Sequence, residues 1–229
     1  MNLLAFDTST EYLSLAIQKN GELFTFDVNA GQTHSQIILP QIQLLLNSAH
    51  LQLSDLDGIA FGAGPGSFTG VRIAAGVAQG LGFGANLPVL GLCTLLALAQ
   101  ASSAQKVIAC LDARMGEVYF AAYEKVAGEW QTSIEPSLHK PDAVPNVEGT
   151  DWVGAGSGWQ TYGEQLGHFY GAQLISTQPQ LLPNATALIS LALPTFLAGE
   201  AKPAALAQPI YIRNRVALKT AEREQGLRL

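Results

Sequence analysis

Two short loops in this 229-residue chain carry side chains with chemical potential. The first is Asp7-Thr8-Ser9-Thr10, an acid followed by three hydroxyls at the end of an apolar run. In a phosphate-handling enzyme such a loop contacts phosphate and a metal ion. The same residues also close an ordinary hydroxyl-capped turn. The second is Gly64-Pro65-Gly66-Ser67-Phe68-Thr69-Gly70, with Arg72 two residues on. Backbone N–H groups of a Gly-rich loop at a helix start can cradle an anion, and Arg72 could meet that anion, a carboxylate or a helix end. Its spacing fits neither a P-loop nor a dinucleotide fingerprint, because no Gly-Lys-Ser/Thr follows. Ser67 or Thr69 could equally serve only to cap the helix. Asp112 closes a later apolar run as Asp7 closes the first, so Asp7, Ser9 and Asp112 could surround a nucleotide together.

Other chemistries find less support. His34, His50, His139 and His168 include no pair at four-residue spacing, and no His-Glu-X-X-His occurs, so one helix cannot supply a metal site. No Gly-X-Ser-X-Gly elbow is present. Gly154-X-Gly156-X-Gly158 lacks the helix-side pattern of a nucleotide loop. Cys93 and Cys110 both lie in apolar stretches and read as buried, reduced core residues.

The elements that must hold these loops follow from periodicity. Asn2 to Asp7 reads as a buried strand, and Tyr12 to Gln18 alternates as a second strand. Asn20-Gly21 is a hairpin turn leading into a third strand, Glu22 to Val28. A helix follows over Ser35 to Ala49, capped by Thr33 or Ser35, with Pro40 near its first turns. Ile38, Ile42, Leu45 and Ala49 form one stripe at helical spacing, with Ile37, Leu44, Leu39 and Leu46 on other sides. From Val28 to Ser54 there is no Asp, Glu, Lys or Arg, so this helix is either enclosed or shared between a core and a partner. Leu56 to Gly62 is a strand feeding the Gly-rich loop. The next helix, Val71 to Leu81, has small residues at four-residue spacing that let another helix approach. A strand at Pro88 to Gly91 and a helix at Thr94 to Gln100 complete this half. After Ser102-Ser103-Ala104-Gln105 the strand–acid–turn–strand pattern restarts, with Lys106 to Leu111 before Asp112 and Glu117 to Tyr123 beyond the turn. Residues 125–149 read as irregular. Trp152 to Gly158 reads as a strand entering a turn, Ala185 to Gly199 as a helix, and Pro209 to Arg213 as an extended segment before a charged end.

Charged residues make up 13% of the chain, against about 25% in a typical domain. The hydrophobic share of 48% excludes disorder. Between Val28 and Gln105 the only charges are Asp55, Asp57 and Arg72. Glycines, Asn86 and Pro88 break the uncharged stretch Ile73 to Gln105, which argues against a membrane span. Asp7 interrupts the N-terminal apolar run, which argues against a signal peptide, and a cytoplasmic location is expected. A net charge of −6 disfavours autonomous nucleic-acid binding, although Arg213, Arg215, Lys219, Arg223 and Arg228 form a modest basic end.

Taken together, LLAFDTST at the N-terminus, His34-Ser35 with Leu39-Pro40-Gln41-Ile42, GPGSFTGVRIA (64–74), LDARMGEVY (111–119) and PIYIR (209–213) resemble the TsaB (YeaZ) family over nearly the whole chain. The resemblance implies an α/β chain with the duplicated actin-like/Hsp70/sugar-kinase (ASKHA) fold, two mixed-sheet lobes flanked by helices. The lobes are expected at 1–101 and 102–208, with a tail at 209–229. It implies a non-catalytic scaffold for a TsaD-type transferase that modifies tRNA adenosine next to the anticodon. A TsaE-type ATPase joins the complex, tRNA is reached only through it, and the isolated chain pairs with itself. The catalytic relative's His-X-Glu-X-His motif is missing after His34, so no metal, cofactor or catalytic residue is carried over. The partner surface implied by the resemblance uses His34, Ile38, Leu39, Ile42, Leu45, Leu46, Arg72, Ala75, Gly76 and Gln79. Asp7, Ser9, Gly64, Gly66, Ser67 and Thr69 are expected as a vestigial nucleotide or anion loop. Two rival readings stay open at this point: a small kinase or ATPase built on Asp7, Ser9 and Asp112, and a direct tRNA binder built on Arg213 to Arg228.

Overall fold

The computed structural model describes residues 1–213. The first half builds β1 (Asn2–Asp7), β2 (Tyr12–Lys19), β3 (Glu22–Asn29), α1 (His34–Ser48), β4 (Gly58–Gly64), α2 (Phe68–Ala85), β5 (Val89–Cys93) and α3 (Thr94–Ala101). The second builds β6 (Lys106–Arg114), β7 (Glu117–Val126), β8 (Glu129–His139), β9 (Trp152–Ala155), α4 (Ser157–Tyr170), β10 (Leu174–Gln178) and α5 (Ala185–Leu197). None of these helices is long and apolar enough to cross a membrane.

The strands form two five-stranded sheets, ordered β3-β2-β1-β4-β5 and β10-β9-β6-β7-β8. Each has two antiparallel pairings followed by two parallel ones: β1–β2, β2–β3, β1–β4 and β4–β5 in the first sheet, and β6–β7, β7–β8, β6–β9 and β9–β10 in the second. The sheets are therefore copies of one topology, as the repeated strand–acid–turn pattern predicts. Asn20 and Gly21 both adopt positive φ, the geometry a two-residue hairpin needs.

Because strand side chains alternate, both faces of the first sheet need cover. Leu4, Phe6, Ile59 and Phe61 meet Ile38, Ile42, Leu45, Ala74 and Ala78 from α1 and α2. Leu3, Ala5 and Ala60 meet Ala97 of α3 and Ala185, Leu188, Ile189, Ala192 and Phe196 of α5. The helix α3 is shared between the halves, since Leu95, Leu98 and Ala99 pack on Val107, Ala109 and Ala121 of the second sheet. On that sheet's other face, Ile108, Phe120, Trp152, Trp159, Leu166 and Tyr170 form the remaining core.

Packing corrects the expected lobe boundaries. Residues 185–207 follow the second sheet in sequence but return to the first: α5 covers one face, and Ala204 and Ala207 join the α1–α2 core. Lys202 also bridges to Val89. The first lobe is thus discontinuous, and a unit ending at residue 101 would lose α5, its fourth helix.

Several elements lie outside the periodicity reading. The expected irregular stretch 125–149 contains β8, an edge strand with exposed polar residues and Pro136. The expected turn at Gly156–Gly158 opens α4, which carries Gly163 and Gly167 and a non-helical kink at Tyr162. The helix α2 runs beyond its expected bounds, from the Ser67 cap to left-handed Asn86. Thr33 precedes α1 but does not cap it, because its hydroxyl donates to the Ala30 carbonyl at 2.7 Å.

Leu188 is fully buried on α5. Leu188→Ala is expected to lower the stability of the first lobe by about 2–5 kcal/mol. Urea unfolding monitored by circular dichroism reads this directly, and a change under about 0.5 kcal/mol, the size of a surface effect, would contradict this packing.

Candidate functional site

The two loops singled out by their chemistry meet, joined by one backbone hydrogen bond and one from a side-chain hydroxyl. The Ser67 amide donates to the Ser9 carbonyl at 2.7 Å, and the Thr8 hydroxyl donates to the Gly70 carbonyl at 2.7 Å. A β-carbon at Gly70 would overlap the Thr8 carbonyl oxygen, and one at Gly66 would lie 2.5 Å from the Ser9 carbonyl oxygen. These glycines are needed for that close approach. Ser67 caps α2, its hydroxyl oxygen accepting the Gly70 amide at 3.3 Å, while Thr69 is exposed. In the second sheet the close approach falls inside the strand: β-carbons at Gly156 and Gly158 would collide with Cys110 in the middle of β6, and one at Gly154 with the Trp159 ring.

Asp7 does not reach solvent. It is 1% exposed, and its Oδ1 accepts the Ser9 amide at 2.8 Å and the Ser9 hydroxyl at 2.6 Å. Its Oδ2 is buried without a hydrogen-bond partner, against Gly62. Burial lifts its pKa to about 6, although the Ser9 hydrogen bonds and the nearby His34 charge pull the other way. Asp112 in the second sheet differs: it is half-buried, and its Oδ1 accepts the Arg114 amide at 2.8 Å. Ser9, Gly66, Ser67 and Asp112 line a cavity of about 1040 Å³ between the sheets, but Asp7 and Thr69 do not. A nucleotide site built on Asp7 as metal ligand or base loses that group to the interior. Among the described residues, no three His, Cys, Asp or Glu side chains gather as a metal site.

One segment crosses this cavity. The Ile210 amide donates to the Ala63 carbonyl of the first sheet at 2.7 Å, and Arg213 reaches Glu117 of the second at 2.7 Å and the Ala113 carbonyl at 3.0 Å. Between them, the Tyr211 ring lies 6.5 Å from that of Phe68. The Arg72 guanidinium sits 3.3 Å from the Phe68 ring centre and 4.9 Å from that of Tyr211. Arg215, Lys219, Arg223 and Arg228 of the expected basic end lie outside the described residues.

The structure revises the expected partner surface on α1 and α2. Ile38, Ile42, Leu45, Leu46 and Ala75 are core residues, and His34 is buried with Nε2 3.1 Å from the Tyr12 carbonyl oxygen. The strongest apolar stripe is the one a helix turns inward. Leu39, Arg72 and Gly76 remain exposed and Gln79 half-buried; beside them stand Gln36, Pro40, Gln43, Leu44 and Asn47 of α1 and Gly80, Phe83 and Gly84 of α2. Arg72 is the single charge of this outward face. Leu39, Leu44 and Phe83 are 50, 56 and 65% exposed. A β-carbon at Gly76, Gly80 or Gly84 would meet nothing within 4 Å, so no contact inside the chain calls for glycine there.

Comparison with known proteins places this architecture. The family model described as TsaD, tRNA N6-adenosine threonylcarbamoyltransferase, matches residues 28–165. The tRNA threonylcarbamoyladenosine biosynthesis protein TsaB of Escherichia coli is 39% identical over 96% of this chain and 97% of its own length. The chain belongs to the TsaB family. The Haemophilus influenzae TsaB is 38% identical over 96% of both chains. YeaZ from Pseudomonas aeruginosa superposes with a TM-score of 0.82 at 39% identity, over 92% of this chain and 99% of that one. TsaB membership at this coverage agrees with the two similarly ordered five-stranded sheets of a duplicated actin-like fold.

Two outcomes follow. The folded-state pKa of Asp7 lies above its ordinary 3.8, so the stability associated with its neutral form is full below about pH 4 and lost as pH rises through about 6. Asp7→Asn is therefore expected to be more stable than the parent at pH 8, by up to about 3 kcal/mol, with the difference closing near pH 4. Thermal melts across that range check the sign. Separately, Ile42→Ala should cost about 2–5 kcal/mol in denaturant unfolding. Leu39→Ala, at a half-exposed position, should cost under about 1 kcal/mol.

Proposed function

We propose that this chain is a non-catalytic subunit in tRNA threonylcarbamoyladenosine biosynthesis that binds and stabilises a TsaD-type transferase through the outward face of α1 and α2. The supporting observation is that face itself: Leu39, Leu44 and Phe83 exposed beside Gly76, Gly80 and Gly84, with Arg72 as its one charge. A glycine in a helix interior costs about 1 kcal/mol relative to alanine. Three of them on one face, with nothing packed against them, are accounted for by a second helix pair that needs close approach. Uncharged surface with exposed Leu and Phe is costly in water and typical of an interface core.

The same face gives a second copy of the chain a docking place when the transferase is absent, so self-pairing and partner binding compete. A TsaE-type ATPase joins the assembly, the chain needs no cofactor of its own, and it works in the cytoplasm. The kinase or ATPase reading is the weaker one, because the acid it needs most, Asp7, is enclosed.

Gly80→Arg tests the interface without touching the core. No atom of the chain lies within 4 Å of the added β-carbon, and arginine is the better helix former, so the thermal midpoint should hold or rise. Co-elution with the TsaD-type subunit should be lost. Co-elution at the parent's level would place the interface elsewhere.

A further inference from the structure

Arginine is segregated in this protein. It has six, and the three among the described residues, Arg72, Arg114 and Arg213, all line the cavity between the sheets. The other three, Arg215, Arg223 and Arg228, follow in sequence just after Arg213. Arginine is the side chain suited to phosphate, through its forked N–H groups, and to flat rings, through its plane.

Aromatic surface gathers at the same place. Phe68 and Tyr211 are each 51% exposed and stand about the Arg72 guanidinium, while Tyr119 lines the cavity. Arg72 makes no ion pair among the described residues, its one hydrogen bond there going to the Phe68 carbonyl at 2.9 Å. Arg114 projects from the β6–β7 turn, where it and Met115 both take positive φ, at 62° and 57°. Non-glycine residues rarely adopt that conformation, and here it leaves the Arg114 side chain 84% exposed. Its one ion-pair partner among the described residues, Asp112, is 3.9 Å away and also accepts the Arg114 amide. Arg213 is neutralised by Glu117, and Glu11 is the remaining carboxylate of the lining. Among the described residues Arg72 thus has no ion pair and Arg114 only a long one, both beside exposed rings, in a chain of net charge −6. Arg72 also belongs to the proposed partner face, so the cavity mouth continues that interface.

We infer that the cavity mouth is an RNA-contacting surface, on which Arg72 and Arg114 take backbone phosphates and Phe68 and Tyr211 take an unstacked base. This rests on the function proposed above and adds to it a contact from this chain to the RNA. Alternating cations and aromatic faces are the means by which single-stranded segments are held with little sequence preference. The acidic net charge makes the contact a contribution within the complex, with the partner supplying the remainder of the electrostatic attraction.

The experiment uses the complex of the full chain with the TsaD-type subunit and an unmodified tRNA transcript, followed by fluorescence anisotropy between 50 and 200 mM KCl. Co-elution of the two chains is scored first. Its failure with the parent chain overturns the proposed function, and this inference with it. With the complex intact, Arg114→Glu should weaken tRNA binding about tenfold, and Arg114→Ala should reduce the salt slope by about one. Tyr211→Ala should weaken binding about fivefold or more. Lys202→Glu applies the same charge reversal at an exposed position bridged to the opposite end of the first sheet, and should leave affinity unchanged. Intact co-elution with Arg114→Glu no weaker than Lys202→Glu would overturn the RNA surface alone. So would displacement of the tRNA by micromolar AMP or ATP, which would assign the cavity to a mononucleotide.

Discussion

Most of this structure depends on a backbone-to-backbone contact at residues 8–9 and 66–70. The turn after β1 lies so close to the start of α2 that side chains at Gly66 or Gly70 would collide with it, and two hydrogen bonds of 2.7 Å hold the pair together. That contact fixes the rotation of α2 about its axis. Ala74 and Ala78 then face the sheet, while Gly76, Gly80 and Phe83 face away. The Gly-rich loop is therefore a joint between a strand end and a helix start. Its glycines are accounted for by what they touch, without a bound phosphate. The outward face of α2 inherits its composition from this joint, because the turn that sets which residues point inward also sets which remain outside.

The duplicated lobes share a strand–glycine–helix arrangement and have diverged around it. In the second lobe Gly156 and Gly158 press on Cys110 inside β6, whereas Gly66 and Gly70 press on the turn after β1. The acids that end the two strands have moved to opposite environments. Asp7 is enclosed with one oxygen unpaired, while Asp112 stays at the cavity edge and closes its own turn. A pair of acids facing one cavity would be suited to holding a metal ion and phosphates. With one acid withdrawn and the other committed to its turn, the cavity sets arginine and aromatic side chains beside Asp112 and Glu11. The last described segment joins the halves across that cavity, from Ala63 through the Phe68–Arg72–Tyr211 group to Glu117, so the lobes are tied at the mouth as well as through α3.

The sequence is legible where a local rule dominates. The apolar run of β1, the Asn20-Gly21 turn and the stripe of α1 each follow from period and turn chemistry, and the restart after residue 105 reveals the repeat. It is opaque where tertiary context decides. The path of α5 back to the first sheet has no local signature, since an apolar helix is the same whichever sheet it covers. β8 is hidden because an edge strand needs few apolar residues. The glycines of α4 mark a kinked, half-exposed helix that periodicity reads as a turn. The partner surface was misread for a related reason: the absence of charge from α1 is visible, but assigning its apolar stripe outward confuses the core-facing side with the exposed one. Composition marks α1 as unusual, and only the fold says which of its faces is free.

The scarcity of charge and the placement of arginine bear on the same design. A face that must pack tightly against another chain excludes charge, because each buried ion would need a partner supplied in register from the other side. The window from Val28 to Gln105 keeps only Asp55, Asp57 and Arg72, and Arg72 lies at the boundary between the outward helices and the cavity. A single cation at that border can satisfy two constraints together. Its hydrocarbon stem and stacked plane are compatible with a largely apolar interface, while its N–H edges need an acceptor that neither Phe68 nor Tyr211 supplies beyond one carbonyl. Arg72 already stacks on Phe68 and Tyr211 and donates to the Phe68 carbonyl, and on the proposed reading its remaining N–H edges, with Arg114 opposite, are what the cavity mouth offers to an anionic substrate.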